Sequence, residues 1–182
     1  MKKFMNRVLK TIYLATLFLV IQVRAEFQPD MKLTGFKSTV IKGDLTQKGK
    51  EGLFAIYAYN LEIQQPTDAA TGQATGKRTF KPVSVIVPAG PLNTPALHQL
   101  LASNKGLNTV EIRFWAAGNT GADAVYLTVR LTNAKVVTLR DWVANIRDPE
   151  FPQQHQVEFS FEKIEWITTG PAGGTVSDGP TL

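Results

Sequence analysis

Residues Gln156–Trp166 constrain the fold more than any other stretch, because a clean two-residue alternation there changes phase in mid-run. Val157, Phe159 and Phe161 fall on one parity and Glu158, Ser160 and Glu162 on the other, the pattern of a strand with one dry face. Lys163 then follows Glu162 directly, and the apolar series resumes on the opposite parity at Ile164 and Trp166. One extra residue restores the facing, which predicts a β-bulge where a sheet bends. A second slip, at Thr132-Asn133, separates Val125, Leu127, Val129 and Leu131 from Ala134 and Val136. Two bent strands predict a mainly β fold, a barrel or a strongly coiled sheet rather than a flat one.

The other segments fit that frame. Met31–Phe36 and Thr39–Lys42 read as short strands broken at Gly35 and at Gly43-Asp44, and Leu45–Gly52 as a polar loop. Leu53–Ile63 is the most apolar run after the N-terminus: Leu53, Ala55, Tyr57, Tyr59, Leu61 and Ile63 share one parity, but Phe54, Ile56 and Ala58 make the other apolar too. A barrel has one inner face, so the second must be covered by a helix or by another subunit. Gln64–Arg78 lacks large apolar residues and reads as a long exposed loop or hairpin tip. Thr79–Val87, Leu107–Ala116 and Ala124–Leu131 alternate as strands, with turn chemistry at Gly118–Asp123.

One short α-helix stands out, suited to plug one end of a barrel or to cover the apolar outer face. Thr94 is the expected cap, Pro95 the first helical residue, Leu97, Leu100 and Leu101 the apolar stripe, and Lys105-Gly106 the stop. Asp148-Pro149 and Phe151-Pro152 make Arg140–His155 an irregular crossover.

The formal charge of +5 does not make a polyanion binder. Lys2, Lys3, Arg7, Lys10 and Arg24 supply that whole excess, and the chain after Ala25 carries equal numbers of basic and acidic residues. A neutral surface suits self-association better than nucleic acid. The first residues have the form of a secretory signal, with a basic start, an apolar run over Thr11–Ile21 and Val23-Arg24-Ala25 as a cleavage site before Glu26. An uncleaved anchor fits less well, since Lys10 and Gln22 interrupt a run already short of the roughly 20 apolar residues needed to span a bilayer. A start near Met31 is the other alternative. The expected organisation is a signal peptide at 1–25, a barrel domain at 26–168 and a flexible tail at 169–182, with no membrane attachment once the signal is removed.

The residues carry little chemistry. The absence of cysteine removes disulfides, thiolate ligands and thiol nucleophiles. His98 and His155 have no ligand-spaced carboxylate or second histidine beside them in sequence, so a structural role is expected for each and no metal or other cofactor. Asp148 and Glu150 read as solvated loop carboxylates, and Glu158, Glu162 and Glu165 as partners of Lys or Arg. Neither glycine-rich stretch has phosphate-loop context, and no serine sits in a nucleophile elbow. A secreted hydrolase would need carboxylates converging with His155. A monomeric secreted binding module or adhesin on the same barrel is the remaining non-enzymatic alternative.

Several stretches together resemble Hcp, the tube protein of type VI secretion systems. They are the opening KLTGFKSTVIKGDLTQKGKEG (Lys32–Gly52), NLEIQQPTD (Asn60–Asp68), TG at Thr71-Gly72 and GKRTFKP (Gly76–Pro82), and, after the helix, VEIRFW (Val110–Trp115), YLTVRLTNAKVV (Tyr126–Val137), DPEF (Asp148–Phe151) and HQVEFSFEKIEW (His155–Trp166). The resemblance spans roughly Met31 to Trp166 and implies a barrel of two curled sheets with a helix at its side, six subunits in a ring, and rings stacked into a hollow, non-enzymatic tube. It also implies a spike protein, a contractile sheath and effector cargo as partners.

By the same resemblance ring-to-ring contact falls to Pro66, Thr67, Asp68, Thr71, Gly72, Lys77 and Arg78, and side-by-side contact to the outer face of Leu53–Ile63, taken as Phe54, Ile56, Tyr57 and Tyr59. Two features depart from the family pattern. Family members are ordinarily made without a cleavable signal, whereas cleavage is expected here between Ala25 and Glu26, giving a protein secreted through the periplasm; a start near Met31 would instead mean cytoplasmic assembly. The family tail closes with a glycine turn, an aspartate and a tryptophan, whereas Asp178 here is followed by Gly179-Pro180.

Overall fold

The structure is a computed structural model that describes residues 28–118, 123–143, 153–169 and 173–179. The signal and its Ala25/Glu26 junction lie outside the described residues, as do Asp148, Glu150 and most of the crossover.

The longest strand organises the rest. β9 (Asp123–Trp142) is 20 residues long and pairs on one edge with β8 (Leu107–Ala117). Its other edge takes β11 (Lys163–Thr168) along the first half and β10 (Gln154–Ser160) along the second. At the crossing point Asn133 adopts a left-handed φ of 49°, a conformation that asparagine tolerates better than most residues. There the Glu162 N–H donates to the Thr132 carbonyl at 3.1 Å and the Asn133 amide donates to Glu162 Oε2 at 2.7 Å. The two phase slips in the sequence are therefore opposite sides of one corner. The expected bulge inside a single strand is corrected: Phe161 and Glu162 lie between β10 and β11, and the chain changes sheet there.

β1 (Asp30–Gly35) pairs with β8, β2 (Val40–Ile41) and β3 (Phe54–Ala55), while β7 (Val83–Pro88) pairs with β10 and β4 (Ala58–Asn60). All these pairings are antiparallel. The Ile56 N–H donates to the Pro29 carbonyl beside β1, and the next N–H, of Tyr57, donates to the Ile86 carbonyl in β7. One segment thus bridges the two ends of the rolled sheet, although among the described residues no continuous ladder completes the circle.

This handover explains why Leu53–Ile63 is apolar on both parities. Phe54 (0% exposed) and Ile56 (2%) belong to the core, whereas Tyr57 is 50% exposed and Tyr59 and Leu61 pack partly against the core from the other parity. The inward parity changes where the hydrogen bonding passes from β1 to β7. Phe54 and Ile56 are therefore not on an outer face and cannot contact a neighbouring subunit, which corrects the expectation for those two residues. Burial of Phe54 contributes about 2–3 kcal/mol by area. The core continues through Met31, Leu33, Val83, Val85, Val110, Ile112, Val129, Leu131, Val157, Phe159 and Ile164.

Asp30 is a fully buried carboxylate, which must be paired to be tolerated. It accepts from Arg113 Nε at 2.6 Å and from Trp115 Nε1 at 2.7 Å. Lys50 Nζ lies 4.0 Å from it and 4.4 Å from the Trp115 ring centroid. This network ties the first described strand and the Leu45–Gly52 turn to β8.

The helix α1 (Asn93–Ala102) buries Leu97 and Leu100, while Leu101 stays 37% exposed. Its cap is not Thr94. The Asp44 carboxylate accepts the Leu92 and Asn93 N–H groups, each at 2.9 Å, and no side chain within the helix caps it. Asn104, with φ 52°, rather than Lys105-Gly106, provides the left-handed residue that ends it. The described part of the tail is not loose: β12 (Thr175–Asp178) pairs with β11. Among the described residues no helix is long and apolar enough to cross a membrane.

Candidate functional site

Among the described residues, the longest exposed stretch is a projecting hairpin. β5 (Ile63–Gln64) and β6 (Thr79–Phe80) form a two-stranded sheet of their own, and residues 64–79 are exposed throughout. No core holds residues 64–79, so local hydrogen bonds must. The Thr75 N–H donates to the Pro66 carbonyl at 3.0 Å and the Asp68 N–H to the Gln73 carbonyl at 2.8 Å, with a bridge between Thr67 and Ala74.

The tip is built on Asp68. Its Oδ1 accepts from the Thr71 N–H at 2.8 Å, the Ala70 N–H at 3.0 Å and the Thr71 hydroxyl at 3.0 Å. The Gly72 N–H donates to the Asp68 carbonyl at 2.8 Å, and Gly72 has φ 70°, which glycine adopts without strain. Donors that favour the charged carboxylate hold the Asp68 pKa below its ordinary value, the Thr71 backbone first, then the Thr71 hydroxyl and the Ala70 backbone.

The base of the arm is fixed from β12. Arg78 makes a forked contact with Asp178, Nη1 to Oδ2 at 2.6 Å and Nη2 to Oδ1 at 3.2 Å, and the Phe80 ring meets Phe161 edge-on at 6.0 Å. Lys77 lines a shallow cleft of about 220 Å³ beside this pair. The structure thus gathers Pro66, Thr67, Asp68, Thr71 and Gly72 at the tip and puts Lys77 and Arg78 at the base. Asp178 reads from the sequence only as the aspartate of the family tail, and its link to Arg78 is missed, because nothing local marks a contact between residues 100 positions apart.

Of the side-face residues, Tyr57 is exposed, and Tyr59 is half-buried with its ring 5.4 Å from Phe114 in an edge-on contact. Beside them Ala58, Asn60, Ser84, Ile86 and Gln156 line a depression of about 210 Å³ on the outside of β4, β7 and β10.

The carboxylates have ordinary partners. Glu165 pairs with Lys163 at 2.8 Å as expected, whereas Glu162 takes Asn133 and Glu158 takes the Gln156 amide at 3.3 Å rather than Lys or Arg. The histidines depart from expectation. His98 and His155 lie ring to ring, centroids 5.9 Å apart, and share Asp141: His98 Nε2 is 3.1 Å from Oδ2 and His155 Nδ1 is 2.6 Å from Oδ1. Burial raises the Asp141 pKa, but the hydrogen bond shared with His155 and the electrostatic influence of both imidazoles outweigh it and leave the carboxyl below its ordinary value. Their sequence separations of 43 and 14 conceal the cluster.

Comparison with known proteins gives a consistent result. Residues 31–167 match the family model described as type VI secretion system effector, Hcp. The chain is 32% identical over 148 residues to the "Major exported protein" of Pseudomonas aeruginosa, covering 75% of this chain and 86% of that protein. Among solved structures it resembles an Hcp1 protein of E. coli at 24% identity and TM-score 0.74, covering 84% of this chain and 97% of that one. It also resembles the secreted protein Hcp3 of Pseudomonas aeruginosa at 24% identity and TM-score 0.68, covering 85% and 99%. At those identities the structural likeness bears on the fold.

Proposed function

The chain belongs to the Hcp family of type VI secretion proteins, and we propose that it is the structural subunit of a six-membered ring that stacks into a secretion tube. Family membership over residues 31–167, joined to an exposed arm whose shape is held by its own hydrogen bonds, carries this reading. A ring needs two different surfaces on each subunit that meet head to tail around a closing rotation. We assign the lateral surface to Tyr57, Tyr59 and the neighbouring outer depression of β4, β7 and β10. Phe54 and Ile56 have no part in it.

Stacking is assigned to the hairpin. Pro66, Thr67, Asp68, Thr71 and Gly72 form a preformed tip, so little ordering entropy opposes docking onto the next ring. Arg78 and Asp178 set the direction of the arm, and Lys77 supplies a charge at its base. The protein acts without catalysis, and the spike, sheath and effector cargo implied by the family are its partners. We place it outside the cell after passage through the periplasm, with residues 1–25 removed at Ala25/Glu26; Met31 as the true start would place assembly in the cytoplasm.

Negative-stain imaging of the purified protein tests this. Rings with six-fold symmetry, some stacked in columns, are expected, and fields of single small particles at high protein concentration would overturn it.

A further inference from the structure

We propose that His98, Asp141 and His155 form a binding site for a borderline divalent cation, zinc foremost, which would pin α1 to the end of the β9–β10 ladder. Three elements deliver the ligands. His155 and Asp141 are direct cross-strand partners in the β9–β10 register, so their side chains stand together on one face. His98 comes from α1, which packs over that end of β9.

The donor atoms are nearly in place. One ligand atom from each of the three residues lies within 4.8 Å of the others. A zinc ion with bonds of about 2.0–2.1 Å in a tetrahedron separates its ligands by about 3.3 Å. The Asp141–His155 pair, at 2.6 Å, has to open slightly, while the His98–Asp141 pair, at 3.1 Å, is already close to that spacing.

The surroundings also suit a metal. His155 is fully buried, and its far nitrogen, Nε2, lies 2.8 Å from the Thr94 hydroxyl. When Nε2–H donates to that hydroxyl, the tautomer leaves the Nδ1 lone pair facing Asp141, the orientation that a second-shell partner imposes on a metal-binding histidine. A lone pair and a carboxylate oxygen facing each other need a positive charge between them, a proton or a metal. His98 and Asp141 are 49% and 37% exposed, which leaves an entry path and a fourth position for water. Two imidazoles and one carboxylate favour zinc, cobalt, nickel or copper over magnesium or calcium, which prefer oxygen-only shells. This site involves none of the surfaces assigned to ring formation, so its test is independent of that assembly.

The test uses the purified full chain without a histidine tag, stripped with chelator and titrated with cobalt(II) as an optical probe, then with zinc(II) as competitor. One cobalt per chain with the visible absorption of a low-coordinate site is expected, displaced by zinc, together with a higher thermal midpoint in zinc. His98→Ala and Asp141→Asn, both at exposed positions, are each expected to weaken binding at least about tenfold and to abolish the zinc-dependent rise in midpoint, with circular dichroism unchanged. E62Q, which alters a carboxylate paired with Lys81 at the foot of the hairpin arm and outside the cluster, serves as the control with unchanged affinity. The absence of stoichiometric cobalt and zinc binding at micromolar metal, or affinity untouched by both substitutions, would overturn the proposal.

Discussion

Asp44 and Asn93 hold each other reciprocally across 49 residues: the Asp44 N–H donates to Asn93 Oδ1 at 3.0 Å, and the Asn93 N–H donates to Asp44 Oδ2 at 2.9 Å. With the Leu92 N–H on the other carboxylate oxygen, Asp44 satisfies the start of the helix from outside it and neutralises donors that would otherwise be orphaned. Asp44→Ala is expected to destabilise the protein by about 1–2 kcal/mol, read as a lower urea midpoint with an unchanged slope. A neutral result would mean that Asp44 does not cap α1.

The bridging segment gives a contrast between two positions three residues apart. Phe54→Ala empties a fully buried site and is expected to cost about 3–5 kcal/mol, a large part of a typical stability of about 5–15 kcal/mol. Tyr57→Asp, at a position 50% exposed, should leave folding within about 0.5 kcal/mol of the parent and weaken subunit association. Denaturation curves and sedimentation of both variants check this; equal losses of stability would contradict the change of facing between Ile56 and Tyr57.

The fold was largely legible in the sequence because alternation reports facing directly. Both phase slips marked the corner at Asn133 and Glu162, and Gln64–Arg78 read correctly as an exposed arm. Leu53–Ile63 misled, since its facing changes half-way: Phe54 and Ile56 enter the core while Leu53 and Ala55 are buried on the other face, and beyond Tyr57 it is Tyr59 and Leu61 that pack against the core. Thr94 satisfied the local rule for a cap, but the Asp44 carboxylate, 49 residues before Asn93, took the position. The histidine cluster and the Arg78–Asp178 fork had no local signal at all, because cross-strand register and a tail strand create them. The family resemblance supplied an assignment that periodicity does not encode, the stacking role proposed for Gln64–Arg78.

Tyr59 has an unusual proton affinity. Its hydroxyl is buried without a hydrogen-bond partner among the described residues, and desolvation of the phenolate raises its pKa from 10.0 to about 12. A raised folded-state pKa stabilises below the unfolded value, so this contribution is complete below pH 10.0 and is lost as pH rises toward about 12. Spectrophotometric titration should show one tyrosine ionising late, and Tyr59→Phe should remove that component with stability unchanged or slightly increased. An unaltered titration curve in Tyr59→Phe would contradict the assignment.

The sign is opposite at Asp68. Its depressed pKa means that the carboxylate supports the hairpin tip above the ordinary value near 3.9 and that this support is lost as pH falls through the lower folded value. Amide exchange at Ala70, Thr71 and Gly72 should stay slow relative to Asp68→Ala from neutral pH to about pH 5, and the difference should vanish in stronger acid. Equal exchange in the two proteins at neutral pH would remove Asp68 as the organiser of the tip.

Ring formation is tested most directly by the solution mass. Light scattering on the purified protein, eluting from a sizing column at micromolar concentration, is expected to give six times the protomer mass, and Tyr57→Asp to shift it toward the protomer. A single protomer mass that persists as concentration is raised would contradict a ring.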